Sequence, residues 1–159
     1  MCEYCGCQAV EAIADLTAEH DRLRELSREL SAAARCGDLL AASAAARAMH
    51  AVLEPHTEVE ESGLFPALAG DFPEQIELLA GEHRRIDAVL AELAGAAPAS
   101  GWADRVLAAL GQLFEHILEE QDGVFPAALA GLSIHDWNAV AAVRSAAGSG
   151  LAVAQSAER

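Results

Sequence analysis

The chain has 159 residues, a length that suits one domain with a sizeable hydrophobic core. Hydrophobic residues make up 53% of it but aromatic residues only 4%, so the core must be mainly aliphatic, which favours helices over strands. The formal net charge is −15, with ten arginines and no lysine. This charge repels nucleic-acid phosphates and anionic membrane surfaces, so we expect neither as a partner.

No apolar run approaches the roughly 20 residues of a membrane span. The first residues, MCEYCGCQAVEAIAD, lack the basic and apolar regions of a signal peptide. We therefore expect a cytoplasmic protein.

The N-terminal arm, residues 1–7, carries the pattern CxxCxC, formed by Cys2, Cys5 and Cys7. In a cytoplasmic protein such thiols are more often redox-active or metal-bound than joined in structural disulfides. His20 lies 13 residues beyond Cys7, about 20 Å along a helix, and Cys36 is at the far end of the same helix. A redox pair, a second metal site and an inert arm all remain open for the three thiols.

Apolar residues recur at spacings of three and four in two segments, 13–30 and 76–93. This spacing places them along one face of a helix that packs in a bundle. A histidine stands in the middle of each apolar face, His20 in the first segment and His83 in the second, where an aliphatic residue would be expected.

Breaks rich in glycine and proline divide the chain into helices. The predicted helices span residues 8–35, 38–69, 73–95, 101–130 and 134–147. Because the connections are short, the first four helices should be antiparallel neighbours. We therefore predict an all-α domain at 8–147, an up-down-up-down four-helix bundle with a short fifth C-terminal helix, followed by a flexible tail at 148–159.

Three helices have sequence signals at their first residues. Asp38, which follows Gly37, and Ser133 are predicted N-caps. Asp71 is predicted to cap the third helix, with Glu74 three residues later as in a capping box.

The chain also repeats itself. HTEVEESGLFPAL begins at His56 and HILEEQDGVFPAAL begins at His116, 60 residues later. LTAEHDRL and LAGEHRRI, which contain His20 and His83, form a second matching pair. The sequence therefore predicts a duplicated helical hairpin.

Each repeat brings a His-x-x-x-Glu pair, and residues four apart lie on one face of a helix. These pairs are His56 with Glu60 and His116 with Glu120. With His20 and His83, four imidazoles and two carboxylates should converge inside the bundle. Carboxylates are almost never buried without a partner or a metal. A pair of metal ions, bridged by the carboxylates and with the histidines as terminal ligands, satisfies this need. The donors suit iron or manganese, and zinc is left open.

These residues resemble the hemerythrin-like, or HHE cation-binding, family over roughly residues 13–138. The resemblance rests on EH at 19–20, HxxxEE with Phe-Pro at 56–66, EHxxI at 82–86 and HxxxE with Phe-Pro at 116–126. It implies a non-haem centre of two iron ions, oxo- or hydroxo-bridged, in a four-helix bundle. The terminal ligands it implies are His20, His56, His83 and His116. The bridging ligands it implies are Glu60 and Glu120.

Two departures from the oxygen-carrying members of that family narrow the resemblance. Asp87 stands where those members have a further histidine, and Glu120 follows its histidine by four residues instead of five. The pattern H…HxxxE…H…HxxxE resembles the subgroup linked to peroxide and nitric-oxide chemistry or iron-centre repair. Asp87 is a candidate ligand, a candidate hydrogen-bond partner of a ligating histidine, or a surface residue beside Arg84.

The resemblance implies binding or turnover of a small oxidant, O2, NO or H2O2, in a redox or nitrosative stress response. Whether this would be enzymatic, as a peroxide- or nitric-oxide-consuming oxidoreductase, is left open, as are the reductant and a homo-oligomeric state. The alternatives are a non-catalytic iron, oxygen or redox sensor, an iron-handling module that uses the Cys arm, and a structural zinc bundle.

Several residues around this constellation have predicted positions. A kink at Pro55 would open helix 38–69 at the metal site, with a simple packing bend as the alternative. The phenylalanines of the two Phe-Pro pairs, Phe65 and Phe125, are predicted to cap the core. Trp102 and Trp137 are expected to close the ends of the bundle. His50 and His135 are expected to face solvent.

Overall fold

The structure is a computed structural model that describes residues 7–95 and 97–151, with side chains from residue 9 onward. Cys2 and Cys5 lie outside the described residues, and so does the side chain of Cys7. The predictions for the Cys arm and for the last eight residues of the tail therefore stay predictions.

Helices are the only regular secondary structure in the described residues. Its α-helices are α1 (Cys7–Cys36), α2 (Leu39–Val59), α3 (Phe65–Leu68), α4 (Pro73–Ala94), α5 (Trp102–Glu119), α6 (Phe125–Gly131) and α7 (Ile134–Ala147). Two π-helical segments, π1 (Glu60–Leu64) and π2 (Glu120–Val124), join α2 to α3 and α5 to α6. The predicted helices 38–69 and 101–130 are thus continuous but change geometry part-way.

The four long helices pack in the predicted bundle. Both α1 and α4 contact α2 and α5, and α7 lies across α1, α2 and π1. The predicted all-α four-helix bundle with a C-terminal helix is therefore confirmed.

Two of the three predicted caps are present. Asp38 accepts a hydrogen bond from the N–H of Ala41 after Gly37 at φ +68°, and Ser133 forms a capping box with Asp136. The capping box predicted from Asp71 is wrong. The N–H groups of Asp71 and Phe72 both donate to the carbonyl of Leu68, so they complete the preceding helix. Helix α4 then starts at Pro73, whose missing N–H costs nothing at that position.

The hydrophobic core has two clusters, one on either side of the level at which the site histidines lie. On α1, for example, Leu16 belongs to one cluster and Leu23 to the other, with His20 between them. Trp102 packs on the cluster that contains Leu23, and Trp137 lies in the cluster that contains Leu16. The two tryptophans therefore occupy opposite ends of the bundle.

The repeated Gly-x-Phe-Pro motif coincides with the two π segments. The N–H groups of Phe65 and Phe125 donate five residues back, to the carbonyls of Glu60 and Glu120. A proline ring in a regular helix clashes with the carbonyl four residues before it. A wider turn before Pro66 and before Pro126 relieves that clash, which gives the motif a structural reason.

Pro55 does not interrupt its helix. Helix α2 runs through Pro55 to Val59, and the change to π geometry comes five residues after the proline. The second repeat has the same change although Glu115 stands in the place of Pro55. The irregular backbone beside the site therefore belongs to the Phe-Pro motif.

Candidate metal centre

Six buried side chains meet in the interior of the bundle, about half-way along its four long helices. They form two overlapping groups of potential ligands, each with one donor atom per residue and all of these atoms within 4.8 Å of one another. The first group is His20, His56, Glu60 and Glu120. The second group is Glu60, His83, His116 and Glu120. The structure thus brings together all six residues predicted from the repeats.

The two glutamates belong to both groups. Glu60 lies 3.3 Å from the Nε2 of His56 through one oxygen and 3.3 Å from the Nε2 of His83 through the other. Glu120 lies 3.0 Å from the Nε2 of His116 and 3.1 Å from the Nε2 of His20. Each carboxylate therefore spans from one group to the other, the arrangement that a bridging ligand needs.

Three of the histidines are held from behind by further carboxylates. The Nδ1 of His56 is 2.9 Å from Glu19, that of His83 is 2.8 Å from Glu61, and that of His116 is 2.8 Å from Glu82. Because an ionised carboxylate only accepts hydrogen bonds, Nδ1 is the donor in each pair. In the neutral imidazole that a metal requires, this fixes the tautomer and leaves each Nε2 free to face the centre.

These three carboxylates were not predicted from the sequence, although they stand inside the motifs. Glu19 and Glu82 are the acidic residues of the two Glu-His pairs, and Glu61 is the second residue of HxxxEE. Neighbours on a helix point about 100° apart, so a glutamate beside an inward histidine can face the adjacent helix. The repeated EH pair was the signal that could have identified Glu19 and Glu82.

The fourth histidine breaks the symmetry of the repeats. The residue equivalent to Glu61 in the second repeat is Gln121, whose amide oxygen accepts from Arg24. The Nδ1 of His20 has no hydrogen-bond partner. The two halves of the centre are therefore chemically different.

Glu19 also accepts hydrogen bonds from the C-terminal part of the chain. Arg144 on α7 donates to both oxygens of Glu19, at 2.7 and 2.9 Å, and the N–H of Gly150 donates at 3.0 Å. The start of the predicted flexible tail is thus packed on the core. No sequence motif marked Arg144, which connects α7 to the histidine that Glu19 holds.

Of the remaining predicted residues, the polar ones lie away from the centre, whereas the two phenylalanines pack against it. Asp87 is exposed and accepts from the Nδ1 of His50, also exposed, at 2.9 Å, so the structure places Asp87 outside both groups. His135 is exposed, as is the thiol of Cys36. Phe65 and Phe125 are buried as expected, and each stacks on a site histidine, Phe65 on His83 and Phe125 on His20.

Opposite charges keep the metal-free centre ionised. Burial lowers the pKa of His56, but the charge of Glu60 and the hydrogen bond to Glu19 outweigh burial and raise the pKa to about 10. Burial also lowers the pKa of His116, but the carboxylates of Glu120 and Glu82 outweigh burial and raise the pKa to about 9. The pKa values of Glu60 and Glu120 are lowered, against the effect of burial, by the histidines that contact them.

The donor atoms are better placed to bind metal ions than to hydrogen-bond with one another. All four oxygens of Glu60 and Glu120, and the Nε2 atoms of His20, His83 and His116, are buried without a hydrogen bond of acceptable geometry, although they lie within ion-pair distance. Buried polar atoms that lack partners are rare in native proteins. Nitrogen and oxygen donors aimed at one interior space are what a metal site provides.

Residues 11–128 match the hemerythrin HHE cation binding domain. The chain belongs to this hemerythrin family. The two adjacent groups of histidine and glutamate are consistent with a binuclear metal site, as in hemerythrins. The matched segment contains all six residues of the two groups, and α7 with Arg144 lies beyond it. Neither a curated protein nor a solved structure matches the chain. Among the described residues, no helix is both long and apolar enough to cross a membrane.

Proposed function

We propose that this hemerythrin-like protein is a non-haem di-iron protein that binds or turns over a small oxidant, O2, NO or H2O2, in a redox or nitrosative stress response. The observation that carries the proposal is the pair of buried carboxylates, each within 3.3 Å of a histidine from both ligand groups.

The choice of iron follows from the donors. Each group offers two imidazoles and two shared carboxylates and no thiolate, a set that suits iron or manganese and also accepts zinc. The carboxylates behind His56, His83 and His116 increase the basicity of those imidazoles, which favours an oxidised metal ion.

Two iron ions would supply electrons that one small ligand can accept, and the chain's part is to hold and isolate them. The site residues are nearly inaccessible to water, and the ring faces of His20 and His83 are covered by phenylalanines. If each group held one ion, its four side chains would leave room for an exogenous ligand as well.

The position of Asp87 favours turnover over reversible oxygen storage. In the oxygen-carrying hemerythrins a further histidine at this place saturates one iron. Asp87 is instead paired with His50 at the surface, so neither metal position gains an additional protein ligand from it.

Oxidant consumption by the iron-loaded protein tests this proposal. We expect catalytic loss of one of H2O2, NO or O2 in the presence of a reductant, and loss of that activity together with iron in Glu120→Gln. Glu115→Gln is the matched control, because Glu115 is exposed on α5, the helix that continues into π2. If the fully iron-loaded protein reacted with no oxidant more than stoichiometrically, turnover would be contradicted and only the binding of an oxidant would remain.

A redox sensor is the second candidate, favoured by the hydrogen bonds that run from α7 through Glu19 to His56. A change of charge at the metals would alter the His56–Glu19 pair and hence the attachment of α7. Hydrogen exchange of α7 that differs strongly between the reduced and oxidised protein would support a sensor. Equal exchange in the two states would contradict it.

A further inference from the structure

A cavity of about 320 Å³ lies between α2 and α4 and extends to one residue of the metal centre. His83 forms part of its wall, and with 6% of its surface exposed it is the most accessible of the six site residues. Three other cavities in the described part of the chain are lined by none of the six. Since the other five residues are at most 2% exposed, His83 is the part of the centre that solvent reaches most readily.

The inner end of this cavity is the hydrogen-bonded pair of His83 and Glu61. Glu61 lines the cavity, keeps 35% of its side chain exposed and accepts from the Nδ1 of His83. The Nε2 of His83 is buried, has no hydrogen-bond partner and lies 3.3 Å from Glu60 on the inner side. One imidazole therefore separates solvent from a bridging carboxylate.

The wall of the cavity is acidic. Glu54, Glu58 and Glu61 follow one another along α2 and π1, and Asp87 faces them from α4. The basic groups on the same wall are Arg84 and His50. A cleft lined mainly by one sign of charge concentrates ions of the opposite sign and repels ions of its own sign.

At the outer rim, His50 on α2 and Asp87 on α4 hydrogen-bond across the cavity. This contact ties the two helices together at the surface. It gives Asp87 a place at the opening of the cavity, although it lies outside the ligand groups.

We propose that this cavity is the entrance to the metal centre, and that its acidic wall admits metal cations and uncharged oxidants while excluding anions. The proposal rests on the proposed function in one respect, that metal ions occupy the centre. It agrees with the three oxidants proposed above, which are all uncharged, and it assigns the same route to loading with divalent metal.

Blocking the cavity tests the route. Thr57 lines it without belonging to the centre, and Ser31 lines a groove between α1 and α5 that touches none of the six residues. We expect Thr57→Trp to slow the uptake of Co²⁺ by the metal-free protein on the order of tenfold or more, because entry must then wait for the side chain to move. Ser31→Trp is the matched control and should load at the wild-type rate.

The amount of bound Co²⁺ and the melting temperature keep this test independent of folding. A Thr57→Trp protein that ends with the wild-type cobalt content, only more slowly, supports the route. Equal rates for Thr57→Trp, Ser31→Trp and the wild type would overturn it. If the wild type binds no Co²⁺ at all, the proposed function fails with it, so the two failures are distinguishable.

Removing charge tests the selection. The double variant Glu54→Gln/Glu58→Gln should take up Co²⁺ roughly three- to tenfold more slowly at low ionic strength, with the difference shrinking as salt is added. Azide should bind the loaded variant faster than it binds the wild type. Glu25→Gln/Glu29→Gln, an exposed pair with the same spacing on α1, is the control. Equal effects of both double variants would overturn the charge selection.

Discussion

The histidines of the centre are oriented by residues that stand next to the ligands in sequence. Glu82 illustrates this, since it precedes His83 on α4 but holds His116 on α5 through a 2.8 Å hydrogen bond. By accepting the hydrogen bond of Nδ1, its carboxylate makes the other ring nitrogen of His116, Nε2, a better electron-pair donor to a metal. The identity of this acidic residue should therefore affect metal affinity without affecting the fold.

We expect Glu82→Gln to weaken metal binding about tenfold, because an amide is a weaker acceptor for the imidazole N–H than a carboxylate. Competition with a chelator for Co²⁺ measures the affinity. Glu77→Gln, an exposed position on the same helix, is the control and should bind like the wild type. Wild-type affinity in Glu82→Gln would show that the contact does not tune the centre.

The charges of the metal-free centre predict a characteristic pH dependence. Folding raises the pKa of His56 to about 10 and that of His116 to about 9, from 6.5. Such groups stabilise the fold below the unfolded pKa, and this contribution is lost as pH rises through the folded value. The lowered pKa values of Glu60 and Glu120 act oppositely, stabilising the fold above 4.5 and losing that effect as pH falls further.

The metal-free protein should therefore be most stable between about pH 4.5 and 6.5 and should weaken progressively towards pH 9 to 10. Urea unfolding across this range measures it. Metal affinity should increase over the same interval, because protons on His56 and His116 compete with the metal. Stability of the metal-free protein that increases between pH 6.5 and 9 would refute the ionised centre.

Sequence spacing was sufficient to predict the six central residues, because four-residue spacing fixes which side chains share a helix face. It was insufficient for Glu19, Glu61 and Glu82. Which neighbouring helix a flanking glutamate reaches depends on how the helices are rotated against each other, and no local pattern encodes that rotation.

Among the elements, α7 is connected to the centre by a buried ion pair. Arg144 is 16% exposed and Glu19 is fully buried, and the pair lies directly behind His56. Gly150 approaches so closely that a Cβ atom there would lie 2.7 Å from the carbonyl oxygen of Val52. At this position only glycine lets the chain bring its N–H to Glu19.

Removing the arginine should therefore leave a buried carboxylate with too few partners. We expect Arg144→Gln to destabilise the protein by about 3 kcal/mol. Arg47→Gln, at an exposed position on α2, should change stability by less than about 0.5 kcal/mol. Urea unfolding of both variants decides, and equal small effects would mean that α7 is not held through Glu19.

The positions of glycine and proline predicted the ends of the helices well, but they predicted the backbone geometry within the helices less well. Asp71 looked like a cap because its side chain suits one, yet the end of α3 uses its N–H and Pro73 starts the next helix. The π segments were not predicted, since the effect of Pro66 and Pro126 appears only when the helix continues past them.

In the whole molecule, the centre joins four helices between two hydrophobic clusters. Burying these ionised residues costs solvation free energy, which their ion pairs offset in part and bound metal ions would offset further. Metal binding and folding should therefore be strongly coupled.

We expect a saturating divalent metal to stabilise the fold by roughly 4 kcal/mol when its concentration is about 1,000 times its dissociation constant. Thermal unfolding with and without Co²⁺ measures this gain. A Glu60→Gln/Glu120→Gln variant has the same shape without the two charges and should gain little. Equal gains in both proteins would indicate binding elsewhere.

The bundle could be predicted from the sequence because apolar spacing and short loops allow few other arrangements. The cavity between α2 and α4 could not be predicted, because its volume depends on the separation of two helices and on the His50–Asp87 contact. Glu54 and Glu58 look like ordinary surface residues in the sequence.

The central claim is tested most directly by the metal content per chain, measured together with the visible spectrum of the reduced protein before and after addition of O2, H2O2 or NO. The two ligand groups predict about two irons per chain and the appearance of the charge-transfer absorption of an oxo-bridged di-iron centre after oxidation. Zinc in place of iron, with no spectral response to any of the three oxidants, would contradict the account.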